Sequence, residues 1–269
     1  MQYDPIKKTL GRFFSGSLFM RKSFYFLLDL LLLRTWHVKR ALRKLSDQVP
    51  GKASILDAGC GFGQYTWRMS QMNREWKIKA VDIDREHIED CNTFFRRAGL
   101  EDRTLFRTCD LTQLSDIGLY DLILSVDVME HIEEDTKVFK NFYYALKDSG
   151  TLIISTPSDK GGSDVHDEHD NSFIGEHVRD GYSIYDITDK LKAAGFSNIE
   201  VSYTYGTPGS ISWKLSMKYP IKMLNSSFIF FIVIPFWYLI FFPVSIVLNY
   251  SDLIFKHKEG TGLLVIARK

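Results

Sequence analysis

The feature that most constrains the fold is a glycine-rich run, DAGCGFG at residues 57–63, which directly follows an apolar segment with strand character. Glycine lets the backbone approach a ligand closely, and a helix that begins after such a loop offers unpaired N–H groups. A strand, a glycine loop and a helix in this order predict the first unit of an α/β sheet with a ligand site at its carboxyl edge.

Short apolar runs alternate with amphipathic segments along the rest of the chain. We predict strands at residues 53–58, 77–82, 104–109, 120–126, 151–155, 198–203 and 262–267, and helices at residues 65–71, 85–97, 136–146 and 183–194. Such alternation predicts a mostly parallel sheet with helices on both faces.

Composition narrows the classes of partner. The 269 residues are 45% hydrophobic and 25% charged with a net charge of +1, which fits one large globular domain with additions and lacks the basic excess of a nucleic-acid binder. The three cysteines, Cys60, Cys91 and Cys109, show no disulfide or zinc-site spacing, so a reducing cytosol is the simpler compartment. The N-terminus lacks the order of regions of a cleaved signal peptide, and we expect it to belong to the mature protein.

Three aspartates stand at predicted strand positions that meet at one sheet edge. Asp57 lies on the first strand, Asp82 ends the second and Asp110 follows the third. Taken singly, a glycine loop is often only a tight turn and a strand-end aspartate is often a helix cap. Their joint order favours a cofactor site, in which Asp82 accepts both hydroxyl protons of a ribose. A dinucleotide G-x-G-x-x-G motif would require glycine where Gln64 stands.

These motifs resemble those of the class I S-adenosylmethionine-dependent methyltransferases, within the small-molecule group that contains the ubiquinone-pathway O-methyltransferases. The matching segments are ILDAGCGFG, AVDID, CDL, YDLILSVDVMEHI, GTLIISTPS and KLKAAGFSNIEV. The resemblance covers residues 50–205 and the final strand. It implies a Rossmann-like, seven-stranded sheet in which the last strand runs antiparallel between the fifth and sixth.

The resemblance also implies a cofactor site for S-adenosylmethionine. The residues expected to contact the methionine end of the cofactor are Asp57, Gly59, Gly61 and Gly63. Asp82 is expected to accept hydrogen bonds from the ribose, and Asp110 from the adenine amine. Ser125, Val126 and Asp127 would pass beneath the sulfonium. Further expected cofactor contacts are Cys60, Ile83 and Leu111.

The segment after the fourth strand carries the candidate acid–base group. Asp127, Glu130 and His131 resemble an E-x-x-E-H segment that holds a divalent ion such as Mg²⁺ in the ubiquinone-pathway enzymes, with aspartate in place of the first glutamate. Three interpretations stay open, namely a metal site, His131 acting alone as a base, and a purely structural role of Glu130 and His131 in capping the next helix.

A second polar cluster follows the fifth strand. His166 and His169 lie in the run GGSDVHDEHD, which begins at Gly161. The position over the sheet edge suits an acceptor-binding loop in which these histidines join a metal site or deprotonate the acceptor. A solvated loop is the alternative.

Two apolar segments indicate whether the protein contacts a membrane. Residues 24–33 are nearly all apolar and are followed by basic turns, which favours either a helix at a membrane interface or a cap helix packed on the domain. Residues 223–251 carry no formal charge. Because the final strand must return to the sheet, we expect a re-entrant or interfacial helical hairpin that Pro235 and Pro243 break. A dimer interface, a cover over an apolar tunnel and a true membrane span are the alternatives.

The predicted organisation is an N-terminal helical segment at 1–48, a cofactor-binding core at 49–206, a membrane-associating insertion at 207–260 and a final core strand at 261–269. The leading hypothesis is a methyltransferase on the cytoplasmic face of a membrane. Its acceptor would be a quinone precursor, a lipid or a lipid-linked intermediate, methylated at oxygen. The alternative is a catalytically silent membrane scaffold, and a homodimer is compatible with either.

Overall fold

The computed structural model describes residues 17–161, 178–227 and 229–269. The strands are β1 (Ser54–Ala58), β2 (Lys77–Asp82), β3 (Thr104–Thr108), β4 (Tyr120–Val126), β5 (Leu146–Pro157), β6 (Ser197–Thr204) and β7 (Gly262–Arg268). The helices are α1 (Leu18–Leu31), α2 (Leu33–Ser46), α3 (Gln64–Met72), α4 (Arg85–Arg97), α5 (Asp135–Ala145), α6 (Ile184–Ala194), α7 (Thr207–Trp213), α8 (Tyr219–Ser226) and α9 (Phe230–Ile254).

The strands form one sheet in the order β3-β2-β1-β4-β5-β7-β6. Strands β1 to β5 pair in parallel, whereas β7 runs antiparallel between β5 and β6. The predicted Rossmann-like fold with its reversed last strand is therefore confirmed. Because β6 is parallel to β5, its carboxyl end lies at the same edge as those of β1 to β5.

The N-terminal segment is two helices, where the sequence predicted one. Leu32 between them has φ −92° and ψ 108°, an extended conformation that interrupts the helical hydrogen bonds. Helix α2 buries Val38, Leu42 and Leu45 in the core beside the sheet. Of the two interpretations of this segment, α2 fits the packed cap helix, while α1 leaves Phe19 and Phe26 exposed.

A helical hairpin leaves the sheet after β6 and returns to it at β7. Its first arm comprises α7, a π-helical turn at Lys214–Lys218 and α8, and its second arm is α9. The expected break at the prolines is wrong, because Pro235 and Pro243 lie inside the single 25-residue helix α9. A proline removes one backbone hydrogen bond and leaves the remaining turns paired, so this helix continues through both. The arms instead reverse beside Ser227, whose backbone is extended.

Helix α9 has an inverted distribution of polarity. Its outward face is apolar, with 51% to 74% of each residue exposed, and consists of Ile232, Phe236, Leu239, Ile240, Val247 and Ile254. Its opposite side buries Ser245, Asn249 and Asp252 against the first arm. Within the described parts of the chain, α9 is the one helix long and apolar enough to cross a membrane.

Candidate active site

The glycine loop joins β1 to α3 at the carboxyl edge of the sheet. Gly59 has a φ of 81°, and a Cβ built there would stand 2.2 Å from Val128 Cγ2. Gly61 has a φ of 47°, and a Cβ built on it meets no protein atom within 4 Å. Gly59 is thus required by close packing, whereas Gly61 leaves its backbone open to a ligand. Cys60 is buried, and its N–H donates to Val81 O at 2.9 Å.

Asp82 connects the end of β2 to this loop. Its Oδ2 accepts from the N–H of Gly61 at 2.8 Å, and its Oδ1 accepts from the N–H of Asp84 at 2.9 Å. These bonds hold the carboxylate beside the open side of Gly61. The adjoining Ile83 is 50% exposed, which leaves an apolar side chain at the same edge.

Asp110 lies at the end of β3. Its Oδ1 accepts from the N–H of Thr112 at 2.8 Å, so it caps the 3₁₀ turn that begins at Leu111. The capping alternative therefore describes Asp110 correctly. The side chain is nevertheless exposed at the edge of the sheet, where its carboxylate can accept a further hydrogen bond. Leu111, the next residue, is buried, and Val126 at the end of β4 is half-buried.

Helix α1 holds the glycine loop by hydrogen bonds, and the sequence did not predict this contact. The Oη of Tyr25 donates to the carbonyl of Phe62 at 2.5 Å, and Nη2 of Arg21 donates to the same oxygen at 2.8 Å. Arg21 also pairs with Asp90 of α4 at 2.6 Å. Nothing in the residues around Arg21 and Tyr25 gives a local signal of such a contact.

The three predicted metal ligands do not come together. The carboxylate of Asp127 forms an ion pair with Arg34 of α2. Glu130 is 1% exposed, and its Oε2 accepts from the hydroxyl of Thr156 at 3.0 Å. Burial raises the pKa of Glu130, which disfavours the charged form that a cation needs.

No three histidine, cysteine or acidic side chains form a metal-binding group in residues 17–161, 178–227 and 229–269. The metal site therefore stays a prediction that these contacts do not support. The capping alternative does not describe Glu130, because its carboxylate bonds to Thr156 and Glu134 stands at the cap position of the next helix. His131 ends a 3₁₀ turn at the carboxyl edge, and its role as a base stays a prediction. His166 and His169 lie outside the described residues.

A clamp holds the turn that carries His131. Arg179 donates to the carbonyls of Ile132 at 2.8 Å and Glu133 at 3.2 Å, and it pairs with Asp135. Tyr182 is fully buried and donates to Met129 O at 3.0 Å. These contacts fix the segment on both sides of His131.

Comparison with known proteins identifies the family of the chain. The family model described as "Methyltransferase domain" matches residues 51–202, more than half of the chain. The chain belongs to this methyltransferase domain family. This places the chain in the class I S-adenosylmethionine-dependent methyltransferase family, as its motifs predicted.

Relatives of this methyltransferase act on different acceptor types. The ubiquinone biosynthesis O-methyltransferase of Rickettsia felis is 30% identical over 105 residues, which are 39% of this chain and 41% of that protein. Phosphoethanolamine N-methyltransferase 1 of Zea mays is 28% identical over 154 residues, 56% of this chain and 29% of that protein. The chain spans less than half the length of the curated relatives it matches.

A solved structure shares the fold with the cofactor in place. The Haemonchus contortus phosphoethanolamine N-methyltransferase 2 in complex with S-adenosylmethionine superposes with a TM-score of 0.59 at 18% identity, over 86% of this chain and 52% of that one. At this identity the likeness shows the fold alone.

The residues of this methyltransferase fit S-adenosylmethionine. The open side of Gly61, the fixed carboxylate of Asp82 and the exposed Asp110 lie along one edge, as a nucleoside with a charged tail requires. Ser125, expected below the sulfonium, buries a hydroxyl oxygen that has no partner among the described residues. When bound, S-adenosylmethionine supplies the methyl group and a neutral thioether leaving group.

Asp57 should make cofactor affinity depend on pH. Burial raises the pKa of Asp57 to about 7, although a 2.5 Å hydrogen bond from Thr66 lowers it in part. The cationic cofactor favours the ionised carboxylate, so Asp57 releases its proton on binding. We therefore expect affinity to rise by up to about tenfold per pH unit below pH 7 and to level off above it.

Titration calorimetry between pH 5.5 and 8.5 measures this slope. Asp57→Asn should flatten it, and Glu75→Gln, a change of an exposed acid at the amino edge, should leave it intact. An unchanged slope in Asp57→Asn would assign the pH dependence to another group. In the free protein, the same raised pKa means that the contribution of Asp57 to stability is full below about pH 4 and is lost as the pH rises through 7.

Proposed function

We propose that this methyltransferase transfers the methyl group to an oxygen atom of an amphiphilic acceptor, such as a quinone precursor, a lipid or a lipid-linked intermediate, on the cytoplasmic face of a membrane. The observation that carries the proposal is the apolar outward face of α9, on a hairpin that rises from the same sheet edge as the glycine loop. An apolar face of this extent on a soluble protein marks an interaction site.

Contacts of α2 with the hairpin and with the turn after β4 support a structural link between the hairpin and the candidate active site. Asp252 of α9 is fully buried, and its Oδ1 accepts from Nε2 of His37 at 2.8 Å. The N–H of Arg34 donates to the hydroxyl of Tyr205 at 3.0 Å, and the guanidinium of Arg34 pairs with Asp127. One helix thus touches both the hairpin base and the turn after β4, where an acceptor would meet the methyl group.

An oxygen acceptor is favoured by the match to the ubiquinone biosynthesis O-methyltransferase. Methyl transfer is a direct displacement, so the protein supplies alignment and a deprotonated nucleophile. His131, held by the Arg179 clamp at the carboxyl edge, is the proposed base. A nitrogen acceptor, as in the name of the maize relative, is the alternative outcome of the test.

The test uses purified protein, membranes from the native cell and S-adenosylmethionine labelled in the methyl group. We expect label in the organic phase, in a product that gains one methyl group by mass spectrometry, and no such label with Asp82→Asn. Label that remains in the aqueous phase would contradict an amphiphilic acceptor. Fragmentation of the product distinguishes methyl on oxygen from methyl on nitrogen.

A further inference from the structure

The outward face of α9 extends along the whole helix. From Ile232 to Ile254 it covers 22 residue steps, which at 1.5 Å per residue is about 33 Å. The six residues of this face, from Ile232 to Ile254, are each more than half exposed. A hairpin that dipped into a bilayer only by its tip would need apolar exposure at the tip and not at the base, so the distribution calls for another orientation.

The first arm has two opposite sides. Ser212, Ser216 and Pro220 recur every four residues and are buried, and the hydroxyl of Ser212 donates to the carbonyl of Ser245 on α9 at 3.1 Å. Lysines stand two positions after each of these residues, about half a helical turn away. This lysine stripe comprises Lys214, Lys218 and Lys222. It therefore lies on the side of the first arm that faces away from α9.

The charges of the lysine stripe distinguish an upright hairpin from one that lies parallel to the bilayer. The three lysines are spread over two turns of the first arm. An upright hairpin inserted along the length of the outward face would therefore place at least one of them within the hydrocarbon region. A lysine at the centre of a bilayer costs about 3 kcal/mol on insertion scales. A hairpin parallel to the bilayer plane leaves all three at the level of the headgroups. Trp213 and Tyr219, both partly exposed on this arm, suit the same level.

We propose that the hairpin lies flat on an anionic bilayer, with the outward face of α9 among the acyl chains and the lysine stripe towards the headgroups. This orientation is the interfacial form of the expected hairpin and not the re-entrant form, and it rests on the membrane contact in the proposed function. Basic residues beside an anionic lipid surface strengthen binding, and the apolar face supplies the remaining affinity. The flat position also brings the carboxyl edge of the sheet, from which both arms start, next to the lipid.

Spin labels on the full-length protein test the orientation. Single cysteines at Ile232, Leu239, Val247 and Ile254 are labelled in a Cys109→Ser background, since Cys60 and Cys91 are buried. Immersion depth is measured by paramagnetic quenching on vesicles of phosphatidylcholine with 30% phosphatidylglycerol. A flat hairpin gives four similar depths, whereas a tip-first hairpin gives a gradient approaching 1.5 Å per residue.

The outcomes separate the two proposals. A depth gradient with intact binding overturns the flat orientation and leaves the membrane contact standing, while absence of binding by all labelled and unlabelled forms overturns both. As a second measurement, changing the three stripe lysines to glutamine should weaken binding to anionic vesicles on the order of 100-fold. The matched triple change of Lys52, Lys77 and Lys140, exposed lysines of the core, should leave binding within about threefold. Equal losses in both variants would overturn the role of the stripe.

Discussion

Replacing Asp82 by asparagine should weaken S-adenosylmethionine binding by at least about 100-fold and remove methyl transfer with it. The carboxylate accepts from the N–H groups of Gly61 and Asp84, and these bonds hold it beside the open side of Gly61. An amide has one acceptor oxygen and cannot hold two backbone N–H groups and a ribose together. Hydrogen bonds to a charged group contribute about 1.5 to 3 kcal/mol each, so loss of two accounts for this magnitude.

Calorimetry with S-adenosylmethionine measures the effect, and circular dichroism confirms that the variant is folded. The matched control is Asp84→Asn, two residues further on. Asp84 caps α4 through the N–H groups of Glu86 and His87, and asparagine caps a helix equally well. Near-normal affinity in Asp82→Asn would mean that the ribose is held elsewhere. Normal cellular function of a non-binding Asp82→Asn protein would favour the scaffold hypothesis.

Three glutamates on the outward face of α9 should abolish vesicle binding and leave cofactor binding within about twofold. The changes are Phe236→Glu, Leu239→Glu and Ile240→Glu, at side chains that are 64%, 74% and 62% exposed and so make few contacts within the protein. Each buried charge costs about 2.5 to 3.5 kcal/mol in a bilayer interior, so the partition coefficient should fall by more than about 100-fold. Flotation with anionic vesicles and calorimetry on the same preparations measure both quantities.

A matched control comes from a second exposed apolar patch at the amino edge of the sheet. Ile117, Leu119 and Tyr144 are 75%, 49% and 57% exposed, and Gly118 joins them by a hydrogen bond to Tyr144 O. Glutamates at these three positions add the same charge far from the hairpin and should not affect flotation. If they reduce it equally, general acidity of the protein explains the loss. If the outward-face variant still floats, the membrane contact lies elsewhere.

The core of the fold was predictable because its signals are local. Strand β2, strand β4 and helix α4 have the predicted bounds, and helix α6 begins one residue after its predicted start and ends at its predicted end. Alternation of apolar residues and capping residues act over a few positions. The order of the sheet followed from family resemblance, which transfers topology that no local pattern contains.

Within the candidate site, only the positions of the residues expected to hold the cofactor were predictable from the sequence. The positions of Gly61, Asp82 and Asp110 follow from the rule that parallel strands end at one edge. Arg34 lies in the basic turns after residues 24–33, and no sequence pattern indicates that it pairs with Asp127, the expected metal ligand. The partners of Asp127 and Glu130 come from residues 93 and 26 positions away, a separation over which sequence patterns carry no pairing information.

By itself the sequence determined the methyltransferase core, because a glycine loop and strand-end acids encode their contacts within a few residues. Tertiary structure alone decided the form of the apolar insertion. The sequence predicted a hairpin broken at Pro235 and Pro243, but a 20-residue first arm packs beside α9 and moves the turn to Ser227. Which side of α9 is exposed depends on burial of Ser245, Asn249 and Asp252 against that arm. Such pairing between helices depends on side-chain fit in three dimensions, which hydropathy along the chain does not record.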